Sequence, residues 1–298
     1  MTDVHRLPNS QEMVITFTAP TGFNYRLEAA TNAVLWNALV TLPVSSLSSL
    51  LHTDSAAPFL ASRAYRALQL PGTTNFTGDH LATTYGDIVF HPIGHASVVM
   101  RWNGKTIFND PTNGALAYQS FGSPDLILVS HDHSDHFSSS TIDAVRGANT
   151  ILVVPGYIYS NSLSAAQKAI SVVLNNGVST NLLGLSIEAV PAYNANHPLG
   201  RGNGYVLGVG GRRVYLSGDT GNTPEMRLLS NIDVAFLCMN IPFTMTPAES
   251  TNAVRAFRPR VVYPYHYRDS SGAVTNAAFF KQILGTGPGI EVRLRKWY

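Results

Sequence analysis

Residues 130–137 read SHDHSDHF, with three histidines and two aspartates inside six consecutive positions. They directly follow DLILV, a run with the composition of a buried strand. Ionisable groups taken out of water are strongly disfavoured unless something pairs with them, and a metal ion would resolve the conflict. In the spacing His131-x-His133-x-Asp135-His136, alternate residues can point to one side of a loop while the next pair turns to the other. Two ions can share such a loop, with His131 and His133 on one and Asp135 and His136 on the other. Imidazole nitrogens suit zinc and iron, and carboxylate oxygens add manganese. The expectation is two divalent ions, zinc or manganese, with iron as the alternative. Each ion needs further ligands, so this chemistry requires more His or Asp at the ends of later strands.

The chain supplies them. Asp219 closes RRVYLSGD, where small neighbours let the backbone turn. His266 ends the apolar run VVYPYH, and His197 lies in PAYNANHPLG. Taken singly, each reads as well as a turn residue or a satisfied core group. The spaced quartet carries the specificity, and the later three gain weight because the quartet demands them.

Strands must hold these residues at their ends. From Gly86 onward the pattern is one of short strands: GDIVFHPIGHASVVMRW and KTIFND flank Asn103-Gly104, a dipeptide suited to a tight hairpin turn. DLILVS, TILVVPG, IDVAFLCMN and RVVYPYHY read as strands, with IEVRLRKW as the last. GYVLGV and RRVYLSGD form a second hairpin around Gly210-Gly211. Helices are expected in SSSTIDAVRG, in TNAAFFKQIL and from TPAES, where Thr246 and Glu249 make a capping box with Pro247 in the first turn. Hairpins first, then strands alternating with helices, predict an α/β protein of two packed sheets with helices outside.

Bulk composition narrows the partners. The chain has 298 residues, 45% hydrophobic and 13% charged, with a formal charge of +2. That is an ordinary globular composition, with no basic stripe for nucleic acid, and a small-molecule substrate is expected. Cys238 is the single cysteine, which excludes an internal disulfide and points to a reducing, cytoplasmic setting. MTDVHRLPNS has neither a basic start nor an apolar segment, so no secretory signal is expected. Residues 31–53 carry no Asp, Glu, Lys or Arg, but Pro43 and many Ser, Thr and Asn argue against a membrane span. The leucine spacing (Leu35, Leu39, Leu42, then Leu47, Leu50, Leu51) predicts two short core-facing helices. Two regions follow: residues 1–85 as a partly helical extension, and 86–298 as the domain bearing the site. The extension is read as a lid, a homo-oligomer contact or a peripheral membrane-facing segment, and the sequence leaves the three open.

HxHxDH, a later Asp in SGDT and a final His together resemble the metallo-β-lactamase fold superfamily of dinuclear metal hydrolases. HPIGHASVVMRWNGKTIFNDP, AVPAYN, GDTGNTPEM, NIDVAFLCMN and YPYHY are similar to the branch with ascorbate-6-phosphate lactonase and N-acyl-phosphatidylethanolamine phospholipase D. The resemblance covers residues 86 to about 296 and implies an αββα sandwich with metals at one edge. It also implies a ligand set: His131, His133 and a third His on one metal, Asp135, His136 and His266 on the other, and Asp219 bridging. Relatives often place the third His directly after PA-x, where this chain has Asn194; His197 is taken as the ligand instead. Asp110 in FNDP resembles an aspartate that braces the metal loop, with a plain turn role as the alternative. His95 in GHAS is read as lining the cavity, or as a buried histidine bonded to backbone.

The mechanism so implied is hydrolysis by a metal-bound hydroxide, with Asp219 or Asp135 passing a proton to the leaving group. A lactone or carboxylic ester is the first expectation for the substrate, and a phosphodiester cleaved in phospholipase D fashion the alternative. Arg201 and Arg268 stand ready to meet an anionic group in either case. A non-catalytic metal-binding protein with a degenerate site is the alternative of a different class.

Overall fold

The computed structural model describes residues 2–9, 12–18, 25–31, 37–42, 49–55, 57, 62–69, 78–83, 86–268, 272–285 and 289–295. They form two compact units: Met1–Val89 with Trp102–Gly104, and Phe90–Arg101 with Lys105–Tyr298. No helix among the described residues is long and apolar enough to cross a membrane.

The first unit is built of strands: β1 (Thr2–Arg6), β2 (Met13–Thr18), β3 (Tyr25–Ala30), β4 (Asn37–Leu42), β5 (Ser49–Asp54), β6 (Ala64–Gln69) and β7 (Asp79–Leu81). Two three-stranded antiparallel sheets, β1-β2-β5 and β4-β3-β6, result. Ile15 from the first meets Tyr25 and Leu27 from the second, with Met13, Leu39, Val40, Tyr65 and Ala67 packed around them. On the other face of β3, Arg26 and Glu28 are buried as a pair 2.7 Å apart, and Arg66 joins Glu28 at 2.7 Å. Buried Asp54 takes Arg63 and, at 3.0 Å, the Tyr65 hydroxyl.

Within the segment 31–53 expected to be helical, residues 37–42 and 49–53 are strand, and no α-helix occurs among the described residues of 1–89. Leu35, Pro43 and Leu47 lie outside the described residues. The segment is rich in Ser, Thr, Asn and Val, which form helices poorly, and a short isolated helix does not sustain itself. Pairing with β3 instead lets Leu39 and Val40 pack against the Ile15–Leu27 core.

In the second unit β8 (Ile88–Gly94), β9 (Ser97–Trp102), β10 (Lys105–Asn109), β11 (Leu126–Leu128), β12 (Ile151–Val154) and β13 (Ser171–Val173) follow one another across a sheet. The steps from β10 to β13 are parallel. A second sheet runs β14 (Ser179–Leu182), β15 (Leu185–Ala192), β16 (Gly202–Val209), β17 (Arg212–Leu216), β18 (Val234–Cys238), β19 (Val261–Tyr265) and β20 (Glu291–Val292). It is antiparallel as far as β17 and parallel beyond it. The last strand is shorter than IEVRLRKW suggests, and residues 296–298 lie outside the described set. Asn103 and Gly104 take positive φ (48° and 73°), as the first hairpin requires.

The two sheets face each other. Phe90 on β8 packs on Phe236 of β18 at 5.3 Å and on Tyr263 of β19 at 6.3 Å between ring centroids. Parallel strands covered on both faces read as continuous apolar runs, which is why VAFLC and VVYPY are buried throughout. Helices α1 (Ser139–Val145), α2 (Gly156–Asn161) and α3 (Ala165–Lys168) lie among the strands of the first sheet in sequence. Helices α4 (Pro224–Arg227), α5 (Pro247–Phe257) and α6 (Ala277–Leu284) do so in the second. Helix α5 starts on the capping box of Thr246 and Glu249, with Pro247 in its first turn. Its Phe257 meets the Tyr215 ring at 6.0 Å. Sheet on sheet with helices outside is an αββα sandwich.

Candidate metal centre

Every residue singled out in the sequence for metal binding sits past the carboxyl end of a strand: the 131–136 loop after β11, His197 after β15, Asp219 after β17 and His266 after β19. Hydrogen bonds between the two sheets hold these ends together. Asn203 N–H donates to Ser130 O at 2.9 Å, and the Tyr205 hydroxyl donates to Val129 O at 2.8 Å. Gly218, beside Asp219, has φ 58°, and a Cβ there would stand 2.8 Å from Asn203 O and 3.0 Å from Ser130 Cβ. The glycine of SGD is thus required twice, for its turn and for the close approach of the other sheet.

The side chains converge. The ligand atoms of His131, His133 and His197 lie within 4.8 Å of one another, as do those of His131, His136 and Asp219, and those of His95, Asp135 and His266. Asp219 is central. Its Oδ1 is 3.3 Å from His136 Nε2 and 3.2 Å from His266 Nε2. Its Oδ2 is 3.5 Å from His197 Nε2 and 4.0 Å from His131 Nε2. One carboxylate oxygen therefore faces each pair of histidines. Yet Asp219 Oδ1 and the Nε2 atoms of His131, His136, His197 and His266 are buried with no hydrogen-bond partner. Buried polar atoms left unsatisfied are costly, and donors of this kind aimed at common points suit cations.

The opposite ring nitrogens of His131, His136 and His197 are tied down. Asp110 is fully buried at φ 45°, and its carboxylate accepts from Ser130 N–H (2.6 Å), Ser130 Oγ (2.7 Å) and His136 Nδ1 (2.8 Å). With its proton given to Asp110, Ser130 Oγ accepts from His131 Nδ1 at 3.0 Å. Both imidazoles so carry hydrogen on Nδ1 and turn Nε2 inward. Asp110 acts in this brace and is more than a turn residue. Ser130, inside the quoted SHDHSDHF, is the member that sequence reasoning passed over; its place next to the first histidine was the available signal.

Asn194 plays the same part on the other side. Its Oδ1 accepts from Asn196 N–H (2.8 Å), His197 N–H (3.1 Å) and His197 Nδ1 (2.9 Å). His197 Nε2 is thereby aimed at Asp219. Asn194 thus holds the His197 ring in place. His95, at φ 55°, stacks 3.9 Å from the His266 ring and places Nε2 3.0 Å from Asp135 Oδ2. It also accepts His266 N–H on its carbonyl at 3.1 Å. His95, read as cavity-lining, thus comes within reach of Asp135 as a candidate ligand too. His266 itself is held at φ 46°, a backbone conformation that costs a side-chain-bearing residue on the order of 1 kcal/mol or more and is typical of functional sites.

Electrostatics follow from this crowding. Burial alone would raise the Asp219 carboxyl, but His266 and His136 outweigh it and hold it well below the usual carboxylate range. Burial likewise opposes charge on His136, and the carboxylates of Asp219 and Asp110 prevail, raising it well above the ordinary imidazole value. His131 is driven well below that value by burial and by neighbouring His136. Burial would raise the Asp135 carboxyl, but the neighbouring imidazoles of His266 and His95 outweigh it and hold it below the usual carboxylate range. Its side chain is 40% exposed against 5% for Asp219, which makes it the open carboxylate of the pair.

Arg201 is committed elsewhere: its guanidinium binds Asp132 twice, at 2.8 and 2.9 Å, and lies over the Tyr157 ring. Arg268 pairs its backbone with Val274. Neither is among the described residues lining the cavities at the centre.

The Beta-lactamase superfamily domain matches residues 90–266, the span that contains all of these histidines and aspartates. The chain belongs to the metallo-β-lactamase superfamily. It is 34% identical over 222 residues to a UPF0173 metal-dependent hydrolase of Thermus thermophilus, covering 68% of this chain and 97% of the relative. A solved structure designated a metal-dependent hydrolase, from Parabacteroides distasonis, superposes with TM-score 0.64 and 36% identity over 74% of this chain and 98% of its own. CmlA, a diiron β-hydroxylase of Streptomyces venezuelae, shares the fold at TM-score 0.58 and 16% identity, over 74% of this chain and 53% of CmlA. The superfamily member described here is thus one of the metal-dependent hydrolases by sequence.

Proposed function

We propose that the chain is a dinuclear metal-dependent hydrolase acting on a lactone or carboxylic ester. The observation that carries this reading is the Asp219 carboxylate, with one oxygen facing His136 and His266 and the other facing His131 and His197. His131, His133 and His197 would hold one cation, and Asp135, His136 and His266 the other, with Asp219 shared. The unpartnered Nε2 atoms fit that donor set. Two bound divalent cations, zinc or manganese, would activate water and polarise the scissile carbonyl.

The chain's own residues do the rest. Asp110, Ser130 and Asn194 hold three imidazoles in one tautomer and one orientation, so no reorganisation is needed on loading. Asp135 is open and ionised, and it accepts the proton of the attacking water and returns it to the leaving oxygen. His95, bonded to Asp135, keeps that carboxylate turned toward the cavity. Phe243 and Asn240 complete the wall beside Asp219 and His197.

The test is a paired turnover assay on protein reconstituted with zinc or with manganese. A lactone series and an activated phosphodiester are measured side by side with a chelated control. Metal-dependent lactone opening that exceeds diester cleavage supports the reading. The reverse, or no turnover of either with two metals bound, overturns the substrate assignment.

A further inference from the structure

Next to the small cavity at the centre, of about 280 Å³, lies a larger one of about 720 Å³. His95, Ser134 and Asp135 line both, so the two meet at the open carboxylate. A substrate whose reacting carbonyl lies by Asp219 therefore finds in this larger cavity a built direction in which to extend.

The walls of the larger cavity have a distinct chemistry. Hydroxyls come from Thr112, Ser134, Ser138, Ser140 and Thr141, and an amide from Asn113. Several already form a chain: Ser138 Oγ bonds Thr141 Oγ1 at 2.9 Å and lies 3.3 Å from Ser140 Oγ, while Thr141 Oγ1 accepts from Gly114 N–H at 3.1 Å. A hydroxyl has one donor and two acceptor positions, so this network retains capacity for a ligand and can present either polarity to it. Ile93 and the threonine methyls add apolar surface. No Lys or Arg is among the described residues lining either cavity, and Asp135 is the charged carboxylate shared by both. Away from the centre, an anionic substituent in the larger cavity would lose its hydration and find no Lys or Arg among the described lining residues to replace it.

We infer that this cavity is the recognition subsite for an uncharged, polyhydroxylated part of the substrate, a sugar-derived lactone or ester without phosphate. The inference rests on the hydrolase reading above. In the reaction, water adds to the ring carbonyl, the ring C–O bond breaks, and the open hydroxy acid forms.

The test uses the full chain loaded with zinc and three matched six-membered lactones: δ-valerolactone, glucono-δ-lactone and the 6-phosphate of the latter. The hydroxylated, uncharged lactone is expected to have kcat/KM on the order of tenfold or more above each of the others. Ser140→Phe, which fills the cavity, and Asn113→Gly, which removes the amide at a φ of 68° that glycine accepts, should each lower that ratio. Metal content by elemental analysis checks that both variants remain loaded. Equal rates for the three lactones, preference for the phosphate, or a ratio untouched by both variants overturns the inference.

A second readout separates this failure from failure of the ester reading. Binding of 1,5-anhydro-D-glucitol, the same ring without its carbonyl, is measured by saturation-transfer NMR. Binding that Ser140→Phe abolishes upholds the subsite even if no lactone is opened. No binding to the loaded wild-type chain overturns it.

Discussion

Both units of this protein bury charge, and they treat it in opposite ways. In the first unit Glu28 lies between Arg26 and Arg66, and Asp54 between Arg63 and Tyr65, so each buried carboxylate has its partners within the unit. In the second, Asp219 and four histidines bury polar atoms that face one another without a hydrogen bond. Paired charge in a β-sandwich serves the fold, because desolvation is met by a fixed counter-charge. Convergent charge without partners awaits something that the chain does not supply. Burial of ionisable groups is thus no sign of function by itself; the sign is whether their donors and acceptors close among themselves.

That contrast can be broken by substitution. Asp219→Ala should cost on the order of 10³-fold or more in turnover, several kcal/mol of transition-state stabilisation, and lower the bound metal below two per chain. Retained activity with two metals would remove Asp219 from the centre; kinetics with elemental analysis decide. Glu28→Ala tests the other side. It strands Arg26 inside the first unit, for an expected loss of about 3–5 kcal/mol in that unit's unfolding free energy, with metal content unchanged. Loss of metal in that variant would mean that its charges serve the centre after all.

Smaller effects sharpen the picture. Asn194→Ala should weaken the metal held by His131, His133 and His197 by about 10–100-fold, read by competition with a chromophoric chelator, while the other metal stays. An unchanged affinity would assign His197 some other anchor. Cys238 gives the mildest case, a buried group with no functional partner to find. Burial pushes its thiol up to about 11, so at pH 8 the reactive thiolate is scarce in the folded chain. A thiol reagent should therefore modify it only after unfolding; rapid labelling of native protein would contradict the burial.

Legibility in the sequence followed the range of the interactions involved. HxHxDH was readable because four candidate ligands lie in six positions on one loop, and its residues are found where the loop leaves β11. Asp219 and His266 were readable because each ends a conspicuous apolar run. Asn194 stands where relatives often carry a histidine and left the choice between itself and His197 open in the sequence; the turn that carries its Oδ1 onto His197 Nδ1 is a tertiary detail. The leucines of residues 31–53 misled. Helical spacing is read within one segment, and the pairing of β4 with β3 and of β5 with β2 overrides it.

By itself, then, the sequence determined the sandwich of the second unit and the identity of its histidines and aspartates. Those rest on strand-length apolar runs, turn glycines and the close spacing of ligands, all of them local. The tertiary structure alone decided the rest: that Asp219 turns one oxygen to each histidine pair, that Ser130 and Asp110 set the imidazole tautomers, and that Arg201 is bound to Asp132. Those depend on which strand ends the two sheets bring together, and a contact between residues 20 to 90 positions apart leaves no periodicity in the chain to read.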